Sequence, residues 1–320
     1  MNGISVKFVD FWRGFNAFDN VFVSALRSRF DVSVISDDDT TTVPDILFYS
    51  YFGAKHLQYD CLKVYYTGEN DVPDLNECDY AISFHDITFG DRCLRYPLYM
   101  MYEYEKAIDG PAHSPSDARR PFCSLLMRNT QWCDPHRLDI IDAVDAYRPL
   151  AYGGPFRNNT GGPIADKVEF IAGYKFNLAL ENSIVDGYVT EKLIEPLSAG
   201  TVPIYWGSNA ALKDVNPESF MNVSDYDTLG SFIDDLKAVD NDDGRYMKML
   251  TAPGLRRDAV TDYSDRLATF LCNIASGRRR YVSRYGGVFK LHDNQLITAH
   301  LCDTKWRRRA TKLYSKLFKR

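Results

Sequence analysis

The chain has 320 residues, 45% hydrophobic and 25% charged, enough for two α/β domains without disulfides or metal. Its net charge is −5, yet residues 301–320 hold eight Lys and Arg against one Asp. The body is therefore acidic, which excludes a basic nucleic-acid-binding core and marks out a basic tail. The seven cysteines form no C-x-x-C pair, so they read as reduced thiols, and no Cys/His cluster has zinc-ligand spacing.

In the first half, strand-like and helix-like segments alternate. Ile4–Phe11 reads as a strand, Asp19–Phe30 as a helix, and Val32–Ser36, Ile46–Ser50, Leu62–Tyr66 and Tyr80–Phe84 as buried strands. Residues 104–120, with Gly110, Pro111 and Pro115, read as a loop. The second half starts with a strand at Phe122–Met127, then a helix opened by Asp134-Pro135. A glycine-rich loop covers 152–162, followed by a short helix at 163–171. Then come strand Phe176–Leu180, helix Glu191–Ser198, strand Val202–Tyr205, strand Phe220–Val223, helix Leu229–Val239 and an amphipathic helix across Leu267–Ile274. Asp37–Asp39 and Asp242-Asp243 read as solvated turns. The expected organisation is an N-terminal domain over 1–120, a second over 121–275, and an extension over 276–320. Strands alternating with helices imply parallel sheets with ligand loops at the strand carboxyl ends.

The stretch from Tyr174 to Ser208 carries the chemistry. After strand Phe176–Leu180 come Glu181-Asn182-Ser183, Asp186-Gly187-Tyr188 and then Thr190 as helix N-cap. A helix N-terminus offers free N–H groups and partial positive charge, which suits a diphosphate. Lys192 adds a full charge there, and Glu191 suits sugar hydroxyls as their acceptor. His85-Asp86 looks like half of a hydrolase triad, but no G-x-S-x-G accompanies it, so a loop contact is expected.

This stretch resembles the signature of the α1,3-fucosyltransferase family: Y-K-F-x-L-x-x-E-N-S, then T-E-K, then V-P-I. Val64–Asp74 (VYYTGENDVPD) and Asp79–Phe84 (DYAISF) resemble a second block of bacterial members. Gly153-Gly154-Pro155-Phe156-Arg157 resembles the family's glycine-rich run ending in arginine. Together the matches span roughly residues 60–240.

The resemblance implies an α/β chain of the GT-B type, with two Rossmann-like domains facing a cleft, acceptor on the N-terminal side and GDP-fucose on the C-terminal side. It implies inverting transfer of fucose to an N-acetylglucosamine- or glucose-containing glycan, through an α1,3 linkage giving a Lewis-x-type product. Glu69 would be the base, with Arg157, Asn182, Tyr188, Glu191 and Lys192 on the donor. No metal and no cofactor beyond the donor substrate is expected. The competing readings are another GDP-sugar, an α1,4 linkage, or a glycan-binding protein without catalysis. Intact Glu69 and Lys192 argue against the last.

The sequence departs from the family at Pro196, which should bend or shorten its helix, at Leu180, where a bulkier residue is frequent, and beyond Arg278. In the tail, Trp306, Ala310, Leu313, Tyr314, Leu317 and Phe318 fall on one helical face and Arg308, Arg309, Lys312, Lys316, Lys319 and Arg320 on the other. This is the pattern of an interfacial helix on an anionic membrane. With no signal segment or apolar run of spanning length, the expected location is cytoplasmic, peripheral on the inner membrane face. Asn222-Val223-Ser224 is then an unused glycosylation match.

Overall fold

The computed structural model describes residues 2–102, 104–128 and 133–281. The basic tail, and the interfacial helix expected there, lie outside the described residues. The chain divides into two compact units. Among the described residues, the first holds 2–83, 87–95 and 264–281; the second holds 84–86 and those within 96–263.

In the first unit, β1 (Gly3–Val9) leads through helix α1 (Val21–Arg27) to β2 (Asp31–Ile35). β3 (Ile46–Tyr49), β4 (Leu62–Tyr66), β5 (Tyr80–Ser83) and β6 (Cys93–Arg95) follow. All pairings are parallel, in the order β2-β1-β3-β4-β5-β6. Asn20 caps α1 by accepting from the N–H groups of Phe22 and Val23. That helix lays Phe22 and Leu26, both fully buried, on the sheet. Phe22 stacks on Phe48, which stacks on Phe8 with centroids 4.9 Å apart. Every residue of β3 is buried, as expected for a strand inside a parallel sheet covered on both faces.

The second unit opens with α2 (Lys106–Asp109) and continues through β7 (Cys123–Leu125), α3 (His136–Tyr147), β8 (Ala151–Tyr152), α4 (Lys167–Ala172), β9 (Phe176–Leu180) and α5 (Glu191–Ser198). It ends with β10 (Val202–Trp206), α6 (Ala211–Asp214), β11 (Met221–Asn222), α7 (Leu229–Asp240), α8 (Asp243–Leu250) and the start of α9 (Arg257–Gly277). Its parallel sheet runs β11-β10-β9-β7-β8. The chain turns back at β7, so β7 and β9 are neighbours with a crossover between them. That is the topological switch point where open α/β sheets bind ligands.

Four expectations are corrected. Residues 104–120 are not a plain loop between domains: α2 packs on α5, and a 3₁₀ turn over Pro115–Arg119 packs on α8. The second unit therefore begins at Tyr96 rather than 121. Residues 264–281 belong to the first unit, so the boundary falls at 264 rather than at 276. There Arg278 pairs with Asp45 at 2.7 Å and the Tyr281 N–H donates to Asp79. Asp242 is no solvated turn: its carboxylate caps α8, accepting from the N–H groups of Gly244 and Arg245. Asp39 does cap a turn, through the N–H groups of Thr41 and Thr42. Pro196 sits inside the eight-residue α5, which ends two residues later.

Candidate functional site

The candidate site in the second unit grows from β9. Its five residues are fully enclosed, and the next residue, Glu181, is 0% exposed. An ionisable side chain so buried must be held. Glu181 accepts from the Thr190 N–H at 2.8 Å and from the Thr190 hydroxyl at 2.8 and 3.0 Å. The same hydroxyl accepts from the Lys192 N–H, so Thr190 caps α5. Lys192 Nζ lies 3.1 Å from Thr190 Oγ1, 3.3 Å from Glu191 Oε1 and 3.4 Å from Glu181 Oε2. Burial pushes the Glu181 carboxyl above its usual range, with the Glu191 charge adding and Lys192 opposing. Burial works against the Lys192 charge, but Glu181 and Glu191 outweigh it and hold its pKa above the ordinary lysine value.

The loop into α5 is tightly fitted. Gly187 has φ +86°, and a Cβ there would stand 2.2 Å from the Phe84 carbonyl oxygen. Tyr188 is 2% exposed, its ring edge-on to Phe84 at 4.6 Å. It packs beneath the loop rather than lining its surface. Asn182 accepts from Arg137 Nη1 at 3.2 Å, and its carbonyl accepts from the Asp134 N–H at 2.8 Å. It thereby ties β9 to the start of α3. His136 donates its N–H to Asp134 Oδ1 just ahead of α3, but the helix is capped one residue later than expected, at Pro135 rather than Asp134.

The glycine-rich loop follows β8. A Cβ on Gly154 would stand 2.3 Å from the Met127 carbonyl oxygen, so only glycine lets this loop lie against the strand beside it. Asn158 closes the loop by donating to the carbonyls of Gly154 and Gly162. Arg157 takes φ +52° and lies over the Phe156 ring at 4.8 Å. Its guanidinium pairs with Asp142 of α3 and holds its proton more tightly for it. The structure thus groups Glu191 and Lys192, places Asn182 and Tyr188 as supports, and pairs Arg157 with α3.

A cavity of about 520 Å³ opens along the face of α5 bearing Glu191, Ile194, Glu195 and Ser198. Tyr99 and Tyr102 wall one side, Asp166 and Glu169 another. That volume falls in the range of small-molecule sites. Burial raises the Glu195 carboxyl, countered by its ion pair with Lys167.

Glu69 lies in the first unit, in the turn after β4. It is exposed, and its backbone N–H donates to Thr67 Oγ1 at 3.0 Å. At His85-Asp86, Asp86 pairs with Lys213, and the His85 ring packs on Phe84 at 3.9 Å. Glu181 and Arg137 are the site residues that the motif reading did not single out. The signal was present, since an acidic residue directly after a largely apolar strand must be compensated once buried.

Two family models match. The α-(1,3)-fucosyltransferase FucT N-terminal domain covers residues 6–102, and the glycosyltransferase family 10 (fucosyltransferase) C-terminal domain covers 125–275. The α-(1,3)-fucosyltransferase FucT of Helicobacter pylori is 36% identical over 269 residues, 72% of this chain and 55% of that one. The chain thus spans about half the length of this relative. A crystal structure of an α1,3-fucosyltransferase with GDP superposes with a TM-score of 0.68 at 26% identity, over 84% of this chain and 91% of the other. One with GDP-fucose gives 0.65 over the same shares. With matches across both halves of the chain, in sequence and in fold, this protein belongs to glycosyltransferase family 10, the fucosyltransferases.

Proposed function

We propose that the protein transfers fucose from GDP-fucose to a hydroxyl of an N-acetylglucosamine- or glucose-containing glycan, with inversion and an α1,3 linkage. The observation that carries this reading is the Glu181–Thr190–Lys192 arrangement at the N-terminus of α5. It puts a lysine, two buried or half-buried carboxylates and free helix N–H groups at a sheet switch point. The relative solved with GDP-fucose supports the choice of donor.

In this reading the acceptor oxygen attacks the fucose anomeric carbon while Glu69 takes its proton. The bond from that carbon to the diphosphate oxygen breaks, and the transition state carries oxocarbenium character. Charge growing on the departing GDP is met by Lys192, Arg157 and the α5 N-terminus. No metal enters; these groups supply the neutralisation.

Lys192 has three ammonium protons and three partners in this structure. To reach a phosphate it must release one of them, and Glu191 is the partner at the cavity. Donor binding then exchanges Glu191 from Lys192 to a ribose or fucose hydroxyl. Arg157 must likewise leave Asp142. The cavity beside Glu191 is assigned to the donor's nucleoside side. The basic residues of 303–320 are assigned a peripheral membrane contact, and deleting them should release the protein from anionic vesicles.

The test is GDP release from GDP-fucose with and without N-acetyllactosamine, for the wild type and Glu69→Gln. Acceptor-dependent release that falls about 10²–10⁴-fold in the variant is the expected result. Release with another GDP-sugar only overturns the donor assignment, and unchanged release in the variant overturns the base.

A further inference from the structure

The loop after β3 combines two features that seldom go together: its backbone is locked, and its tip shows aromatic rings to solvent. Tyr51 is 52% exposed and Phe52 43%. Their rings meet edge-to-face at 5.7 Å. Isolated exposed apolar residues need no explanation, but a neighbouring aromatic pair on a fixed backbone does.

The lock is Asp10, the residue after β1. It takes φ +61°, uncommon for a side chain other than glycine, and its carboxylate is 3% exposed. The Phe52 N–H donates to the Asp10 carbonyl at 3.0 Å. The Lys55 and His56 N–H groups donate to the Asp10 carboxylate at 3.0 Å each, and His56 Nδ1 lies 2.8 Å from it. Gly53 fits beneath because a Cβ there would stand 2.2 Å from Asp10 Oδ1. The His56 ring stacks on Tyr49 at 4.1 Å. A buried ion pair, a strained residue and a glycine all serve to hold one short loop.

Its position is equally specific. In the order β2-β1-β3-β4-β5-β6 the chain reverses at β1, so the ends of β1 and β3 form this unit's switch point. β3 also neighbours β4, with Tyr49 in register with Tyr65. Tyr51 and Phe52 stand two and three residues past Tyr49; Glu69 stands four past Tyr65. Adjacent strands lie about 4.8 Å apart, so the aromatic pair and Glu69 leave the same sheet edge side by side.

We propose that Tyr51 and Phe52 form an acceptor subsite, stacking on the pyranose next to the sugar whose hydroxyl Glu69 deprotonates. This rests on the fucosyl-transfer reading above. A pyranose presents one face of C–H groups, which an aromatic ring covers without demanding hydrogen bonds, and a pre-ordered pair does so at little entropic cost. The ligand is an oligosaccharide of at least two rings, one placed at Glu69 and the next on the pair.

The experiment uses the full chain and compares N-acetylglucosamine, N-acetyllactosamine and its tetrasaccharide repeat as acceptors. Tyr51→Ala/Phe52→Ala should raise KM for the two longer acceptors about tenfold and leave KM for the monosaccharide unaltered. Tyr51→Phe/Phe52→Tyr should restore wild-type values. A KM change of equal size for all three acceptors, or none for any, overturns the subsite. So does a loss of self-association or vesicle binding with unchanged KM, which would give the pair to a second copy or a lipid surface. Should the wild type release no GDP with any acceptor, the transfer reading fails, and calorimetric titration with N-acetyllactosamine alone decides the subsite. Binding weakened about tenfold in the alanine variant upholds it, and equal binding overturns it.

Discussion

Lys192 Nζ lies 3.4 Å from the fully enclosed Glu181 carboxylate, and the two are joined a second time through the Thr190 hydroxyl. The lysine proposed to meet the donor diphosphate is therefore aimed from beneath. Glu181→Gln keeps the shape and one acceptor oxygen but removes the charge opposite Lys192. It should lower kcat/KM for GDP-fucose about 10–100-fold, the usual cost of removing a group that orients a ligand. Stability should fall by only about 1–3 kcal/mol, read by urea unfolding. Unchanged donor kinetics would show that Glu181 serves the fold alone.

Arg157 and Lys192, both proposed to meet the donor, are held differently, and their variants should differ accordingly. Each alanine substitution should cost about 1–4 kcal/mol of transition-state stabilisation, read as kcat/KM for GDP-fucose. Arg157 is half-exposed on a surface ion pair, so Arg157→Ala should barely alter the melting temperature. Lys192→Ala strands two carboxylates, one of them fully buried, and should lower it measurably. Glu191→Gln, by weakening the acceptor proposed for a ribose or fucose hydroxyl, should raise KM for the donor while leaving the fold intact.

Where local signals agreed, the sequence was legible. The bounds of Leu62–Tyr66, Phe176–Leu180 and Glu191–Ser198 are those read from apolar runs and the Thr190 cap. What escaped was non-local. β6 and β8 are three and two residues long, too short for a periodic pattern, and exist because a longer strand pairs with them. The second unit's claim on residues 96–120 comes from packing on α5 and α8, which no turn signal records. The motif delivered Glu191 and Lys192 but not the burial that makes Glu181 their support. Tyr188 and Asn182 sit in the same motif, yet one packs on Phe84 and the other binds Arg137.

The Asp10–His56 pair predicts a pH signature. Burial opposes the His56 charge, but hydrogen bonds and charges from Asp10 and Glu77 outweigh it and raise the pKa above the ordinary 6.5. A raised histidine contributes its stability in full below its unfolded pKa and loses it as pH rises through the folded value. The wild type should therefore exceed His56→Gln in melting temperature most below about pH 6.5, with the gap narrowing above. A gap that is flat with pH would show that His56 is neutral and holds the loop by packing on Tyr49.

A second buried pair, in the other unit, should respond at the opposite end of the pH scale. Lys175 Nζ lies 2.9 Å from Asp240 Oδ1 and also donates to the Asp240 carbonyl at 2.7 Å. The lysine side chain is 4% exposed and the aspartate 0%. Tyr147 donates to the other carboxylate oxygen at 2.9 Å, beside Arg148. Burial works against the Asp240 charge, but Lys175, Arg148 and Tyr147 together hold its pKa below the ordinary 3.8. Stability from a depressed carboxyl is present above the unfolded pKa and lost as pH falls through the folded one. Asp240→Asn leaves Lys175 charged and buried against a neutral amide, so it should cost about 3–5 kcal/mol at pH 7, measured by urea unfolding. Asp240→Leu/Lys175→Met removes both charges and should recover most of that loss, because an apolar pair of similar volume needs no compensation. If the double variant is as unstable as the single one, the anchoring comes from Tyr147 and Arg148 at the end of α3 rather than from the lysine.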